Sequence, residues 1–264
     1  MISPTERMIA ETDGAIGWMV FNNPTRRNAI SLDMWQAVPA ILDHFERDPD
    51  VRVVIVKGAG DKAFISGADI SQFEKQRSSA ESIAQYDKVA EGAMTRLQEA
   101  SKPTIAMIRG FCIGGGLAVA LACDLRIAAD DARFGIPAAR LGLGYRWGGV
   151  KKLVDLVGPA YAKEIFFTAR HFTAAEAAGM GLVNRAVPEA ELEAYVRNYC
   201  ALIAENAPLT IAAVKGVVNE IAKPGAQIDR AKCEALVAHC FGSQDYVEGR
   251  RAFMEKRRPV FVGK

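Results

Sequence analysis

Apolar runs at residues 15–22 and 51–58 read as strands, and between them Ser31 opens a segment whose apolar positions recur at helical spacing to about Arg47. Pro39 falls inside that segment and predicts a bend or a tightened turn there. Residues 61–71 read as a loop and 79–100 as a long amphipathic helix. Lys102-Pro103 breaks into a buried strand at 104–109, followed by a glycine turn, an apolar helix from Leu117, and a further strand at 125–129. Strand, loop and helix in recurring order predict an α/β protein. After Val187-Pro188 the character changes: only helices are expected, near 189–205, 208–222, 226–240 and 243–256. Just before them, Thr173-Ala-Ala-Glu176 is a capping box opening a short helix. The chain therefore divides into a core of residues 1–188 and a helical region of 189–264, whose apolar faces exceed what it can bury alone and predict a lid or an oligomer contact.

Composition narrows the classes. Half of the 264 residues are hydrophobic and a quarter charged, as in ordinary soluble globular proteins. A formal charge of +2 gives no reason to expect nucleic acid as a partner. No apolar run approaches the roughly 18 residues of a membrane span, and residues 1–13 lack the basic start and apolar core of a secretion signal, so a cytoplasmic protein is expected. The five cysteines, at 112, 123, 200, 233 and 240, form no Cys-x-x-Cys pair, which suits reduced thiols. Histidines occur only at 44, 171 and 239, leaving few partners for a nucleophilic serine or cysteine and none of the usual spacings for zinc. The glycine patterns of dinucleotide-binding turns, phosphate loops and serine elbows are missing.

Two segments carry chemistry: Phe64-Ile65-Ser66-Gly67-Ala68-Asp69-Ile70 and Gly110-Phe111-Cys112-Ile113-Gly114-Gly115-Gly116. The second runs directly into the apolar helix, whose N-terminus offers free N–H groups and partial positive charge. Small residues let backbone amides approach a ligand, so the pair reads as the two halves of one backbone anion hole, the device that stabilises an enolate or tetrahedral oxyanion.

These two segments, with Phe134-Gly135-Ile136-Pro137 and the ending Tyr246-Val-Glu-Gly-Arg-Arg-Ala-Phe253-Met-Glu-Lys256-Arg257-Arg258-Pro259, resemble the crotonase superfamily, the enoyl-CoA hydratase/isomerase family, over nearly the whole chain. The resemblance implies a spiral core of ββα repeats, a C-terminal helical trimerisation region, and a homotrimer or a hexamer built as a dimer of trimers. It places the anion-hole amides on Ala68 and Gly115. Ser66, Ala68, Asp69 and Ile70 would line the channel for the adenine and pantetheine arm, with Arg26 and Arg27 near the CoA phosphates. Phe253 and Lys256 would reach a neighbouring subunit's CoA. It implies an acyl-CoA thioester as substrate and no cofactor beyond that CoA.

One departure matters. Hydratases of this family use two glutamates, at the positions that here are Ala118 and Ala138, and a methyl group carries no proton. Dienoyl isomerases use a further Asp where this chain has Arg146. The stretch Leu141-Gly-Leu-Gly-Tyr-Arg-Trp-Gly-Gly149, with Arg140 before it, supplies replacements: Tyr145 can donate a proton, and Arg146 can hold a carboxylate. Three readings stay open: a hydratase or isomerase with relocated acid/base groups, a malonyl-type decarboxylase or other carboxylate-handling CoA enzyme, and a non-catalytic acyl-CoA binder.

Overall fold

The computed structural model describes residues 2–69 and 79–264. Its core is three successive turns of one pattern, each a strand of a large sheet, a strand of a small sheet and a helix. The first turn is β4 (Val53–Gly58), β5 (Ala63–Ile65) and α2 (Ala80–Gln98); the second is β6 (Thr104–Ile108), β7 (Phe111–Ile113) and α3 (Gly115–Ala122). The third is β8 (Leu125–Ala129), β9 (Arg133–Gly135) and α4 (Trp147–Thr168). Ahead of them come β1 (Ile2–Thr5), β2 (Met8–Asp13), β3 (Ile16–Phe21) and α1 (Leu32–Arg47); after them come β10 (Phe172–Thr173), α5 (Ala174–Gly179) and β11 (Arg185–Val187). The large sheet has the order β1-β2-β3-β4-β6-β8-β11, antiparallel through β3 and parallel beyond it. The small sheet has the order β10-β9-β7-β5, and β5, β7 and β9 are mutually parallel. This is the α/β spiral of ββα repeats, with a helical C-terminal region.

Phe21, Phe45, Phe64, Phe134 and Phe172 are fully buried in the core between the sheets and the helices. Each contributes about 2–3 kcal/mol of apolar burial. Gly58 lets the two sheets meet, because a Cβ there would lie 2.1 Å from the Phe64 carbonyl oxygen.

Several expectations needed correction. The region 61–71 holds β5, and the glycine turn holds β7: three-residue strands are too short to show a period. The strands β1 and β2 and the helix α4 were not anticipated either; α4 is interrupted at Gly158 (φ 77°) beside Pro159. Pro39 sits inside α1 without ending it.

The helical run after residue 188 has two characters. Its first helix, α6 (Leu192–Ala204), buries Leu192, Val196 and Cys200 against the outer face of the large sheet. The helices α7 (Pro208–Ile221), α8 (Arg230–Phe241) and α9 (Gln244–Glu255) lie beyond it and enclose an apolar groove of 1230 Å³ lined by Val214, Val218, Phe241, Val247 and Phe253. The buried carboxylate of Glu220 on α7 accepts from Lys223 at 2.8 Å, from Lys232 of α8 at 2.9 Å and from the Asp229 amide at 3.2 Å. The Lys223 and Lys232 ammonium groups lower its pKa from 4.5 to about 2. A depressed carboxylate stabilises the fold above its unfolded pKa and loses that contribution as pH falls through its folded value. The contact between α7 and α8 is therefore expected to weaken from about pH 4.5 down to about pH 2. Hydrogen exchange of α8 amides checks this; protection unchanged over that interval would count against it.

Candidate active site

Because β5, β7 and β9 run parallel, with one shift of register between Ala63 and Ile65, the segments that follow them, 66–68, 114–116 and 136–138, leave the small sheet from the same edge. Carboxyl ends of parallel strands are where α/β folds place ligands. The first segment is fixed by a strained turn. Arg27 and Asn28 are consecutive left-handed residues (φ 51° and 57°), a conformation costing about 1–2 kcal/mol for each non-glycine residue. Fully buried Asn28 holds it: its amide donates to the carbonyls of Ala59 (2.9 Å) and Ala63 (2.8 Å) and accepts from the Asn23 N–H (3.0 Å). The turn delivers Ile30 to a parallel bridge with Ala68, in which the Ile30 N–H donates to Gly67 O (2.8 Å) and the Asp69 N–H donates to Ile30 O (2.9 Å). In such a bridge the middle residue's own N–H points to the opposite side. Among the described residues no acceptor takes the Ala68 N–H.

On that side lies α3. Gly114 (φ 54°) donates its N–H to Gly135 O at 2.8 Å, tying the helix start to β9, and its carbonyl accepts from Ala118 at 3.0 Å. Gly115, the first helical residue, keeps an N–H with no helical acceptor. A Cβ on Gly115 would stand 3.6 Å from the Ala68 nitrogen, so the two backbones are separated by little more than the width of a methyl group. Gly116 sets that spacing, since a Cβ there would lie 2.1 Å from Ile65 O.

The polar side chains around this point are ordered by charge pairing. Asp69 is buried and pairs with Arg26 at 3.0 Å. Ser66 donates its N–H to Arg27 O (3.0 Å) and its hydroxyl to Arg26 O (3.3 Å). Arg27 departs from its neighbour: its guanidinium lies 5.0 Å over the Phe111 ring and lines a 350 Å³ cleft with Lys62 and Arg133, at the amino ends of the same three strands. Ile70 lies outside the described residues.

An enoyl-CoA hydratase/isomerase family model matches residues 11–264. The chain is 34% identical to the crotonyl-CoA hydratase of Syntrophomonas wolfei subsp. wolfei, over 98% of this chain and 99% of that one. The chain belongs to the enoyl-CoA hydratase/isomerase family. It is also 34% identical to the short-chain-enoyl-CoA hydratase of Clostridium acetobutylicum, over 95% of each chain. In three dimensions it resembles an enoyl-CoA hydratase/carnithine racemase from Magnetospirillum magneticum, with a TM-score of 0.94 and 34% identity over 98% of this chain and 97% of that one. It is accordingly an acyl-CoA enzyme of the hydratase/isomerase type, within the crotonase superfamily.

In this family member the segments after β7 and β9 carry methyl groups: Ala118, half-buried in the first turns of α3, and Ala138, buried in the turn after β9. The loop that follows folds back, with the Leu143 N–H donating to Ala138 O at 3.0 Å. Tyr145 in that loop packs edge-on against Phe166 (4.9 Å between ring centres), and burial raises its pKa above 10, so it is a neutral donor near pH 7. Arg146 is exposed and bound to Asp87 of α2 through Nε (2.8 Å) and Nη2 (2.6 Å) to the same carboxylate oxygen. Arg140 is also exposed. Phe253 and Lys256 stand at the end of α9, away from the small sheet; Phe253 is 81% exposed along the apolar groove, and Lys256 closes the helix in a left-handed conformation (φ 54°). Among the described residues no group of three or more His, Cys, Asp or Glu side chains could hold a metal ion, and no single helix is long and apolar enough to cross a membrane. The sequence reasoning missed Asn28 and Asp87. Asn28 had one available signal, the tolerance of asparagine for left-handed backbone; Asp87 had none.

Proposed function

We propose that the enzyme polarises an acyl-CoA thioester carbonyl between the N–H groups of Ala68 and Gly115 and stabilises the enolate that forms there. The observation that supports this reading is the closeness of two unclaimed backbone amides at one edge of the small sheet, with room for one methyl group between their backbones. Ser66, Ala68 and Asp69 line the CoA channel, Arg26 serves the CoA phosphates, and no cofactor beyond CoA takes part. With methyl groups at 118 and 138, proton donation falls to Tyr145, whose raised pKa keeps its proton in place. The apolar groove between α7, α8 and α9 is covered in a homotrimer, alone or paired into a hexamer, which also brings Phe253 and Lys256 to a neighbour's CoA. The enzyme works in the cytoplasm.

A second reading, decarboxylation of a malonyl-type thioester, is favoured by one feature. On the described segments after β5, β7 and β9 the carboxylate is Asp69, and it is tied to Arg26. Loss of CO₂ generates the enolate without a base, leaving one proton to be delivered.

Calorimetric titration with butyryl-CoA, followed by turnover of short 2-enoyl-CoA and malonyl-type thioesters, separates these readings. Binding with turnover of the enoyl thioesters supports the first reading, turnover of the malonyl type alone supports the second, and absence of both butyryl-CoA binding and turnover of either class removes both. Tyr145→Phe is expected to lower turnover about a hundredfold with acyl-CoA affinity retained. Light scattering after size exclusion reads the subunit count, and a monomer would refute the trimer.

A further inference from the structure

The Arg146 and Asp87 pair lies between α2, which packs on α3, and the loop that folds back over Ala138. Through that loop and through α2 it is joined to Ala138 and to α3, whose first residue is Gly115. Arg146 spends two of its five donors, Nε and Nη2, on a single oxygen of Asp87. Its side chain is 60% exposed, and Glu91, one turn further along α2, adds to the same field. An exposed pair of this kind is held weakly, and a second carboxylate competes for it readily. Among the described residues, the segments after β5, β7 and β9 carry no unpaired charge to oppose such a competitor. Ala118 and Ala138 bring no charge, Asp69 is neutralised by Arg26, and Tyr145 is a neutral donor. Two carboxylates at 118 and 138 would repel an anionic acyl group; two methyl groups do not.

We propose that Asp87 occupies, in the free enzyme, the place of a substrate carboxylate, and that the preferred substrates are CoA thioesters whose acyl group ends in a second carboxylate. On binding, that carboxylate exchanges with Asp87 on Arg146 while the thioester oxygen enters the amide pair of Ala68 and Gly115. Arg146 then determines specificity, and Asp87 keeps the cation solvated and oriented when the site is empty. The inference rests on the acyl-CoA reading above and narrows it to one substrate class.

The test compares dissociation constants of succinyl- and glutaryl-CoA with those of butyryl- and valeryl-CoA, their neutral counterparts of equal carbon count, for the full-length enzyme and two variants. The wild type is expected to prefer one carboxylated thioester over its counterpart. Arg146→Gln is expected to reduce that preference about tenfold, and Asp87→Asn to increase it several-fold by removing the competitor. Opposite signs are the signature, because a merely structural ion pair would move both variants together. A wild type without preference, or an Asp87→Asn variant whose preference stays or falls, overturns the exchange. If none of the four thioesters binds, the acyl-CoA reading is what has failed. Circular dichroism of both variants guards against misfolding, and the charge-swapped double variant Asp87→Arg with Arg146→Asp, which keeps the pair and moves the cation to α2, should lose the preference if position matters.

Discussion

A single methyl at position 116 is expected to lower kcat/KM about a hundredfold or more. The added Cβ would lie 2.1 Å from Ile65 O, 2.8 Å from Ile65 Cβ and 2.9 Å from the Ile65 carbonyl carbon, which are backbone and branch-point atoms with no rotamer to turn away. Either α3 backs off from β5 or the end of β5 shifts. Both movements separate Gly115 from Ala68, and displacement of a reacting geometry by about 1 Å costs on the order of a hundredfold. Overpacking itself costs about 1–3 kcal/mol, so the melting temperature should fall by roughly 2–4 °C for each kcal/mol in a chain of this size. Gly115→Ala is the informative partner. Its Cβ would meet Ala68 N at 3.6 Å and Gly67 C and Ile30 Cδ1 at 3.7 Å, all ordinary contacts, so the fold should keep its melting temperature. Yet the methyl would sit beside the Ala68 amide, and activity should drop at least about tenfold. Thermal melts and steady-state rates on whichever thioester is turned over fastest decide the matter. A Gly115→Ala enzyme with full activity would mean that the thioester oxygen is held elsewhere.

The course of the chain was legible where elements are long. The strand Leu125–Ala129 and the helices α1, α2 and α7 carry enough turns or apolar positions to show a period, and their ends fall within a residue or two of expectation. The short strands β5 and β7 were not legible for the opposite reason, yet they aim the site: without them, residues 66–68 and 114–116 have no common edge. The pair of amides could be inferred because glycine at 114–116 and 67 is a local signature of close backbone approach. What clamps the first amide could not. It depends on Asn28 reaching Ala59 and Ala63, more than thirty residues away in sequence, and long-range hydrogen bonds leave no periodic trace. The two arginines 26 and 27 look equivalent in sequence, but the left-handed turn at Arg27 sends them to different places, one to Asp69 and the other over Phe111.

Replacing Arg126 should be the most damaging change to stability away from the site. Its guanidinium is 5% exposed and, among the described residues, is in no salt bridge; it donates instead to carbonyls, with Nε to Leu182 O (2.9 Å), Nη1 to Cys123 O (2.9 Å) and Ala120 O (3.2 Å), and Nη2 more loosely to Asp124 O (3.5 Å). Two of those carbonyls end α3, so the cation closes the negative end of the helix whose positive end carries Gly115. Burial lowers its pKa, but a guanidinium titrates so high that it stays charged. In Arg126→Met the chain keeps most of the side-chain volume and loses every donor. Ala120 O keeps the Cys123 N–H at 3.3 Å, but Leu182 O and Cys123 O lose their donor, and at about 1–3 kcal/mol for each buried carbonyl the loss is at least about 2 kcal/mol. That corresponds to a melting temperature lower by roughly 4–8 °C. Arg126→Lys keeps the charge with a single nitrogen that cannot span Leu182 and Cys123 as the planar fork does, and should fall between the two. Because α3 is only eight residues long and is tied at its start by the bond from Gly114 to Gly135, loosening its far end should also reduce turnover more than acyl-CoA affinity. Melting at the wild-type temperature in Arg126→Met would show that the carbonyls at the end of α3 find other donors and that the helix is held by packing of Leu117, Val119 and Ala120 alone.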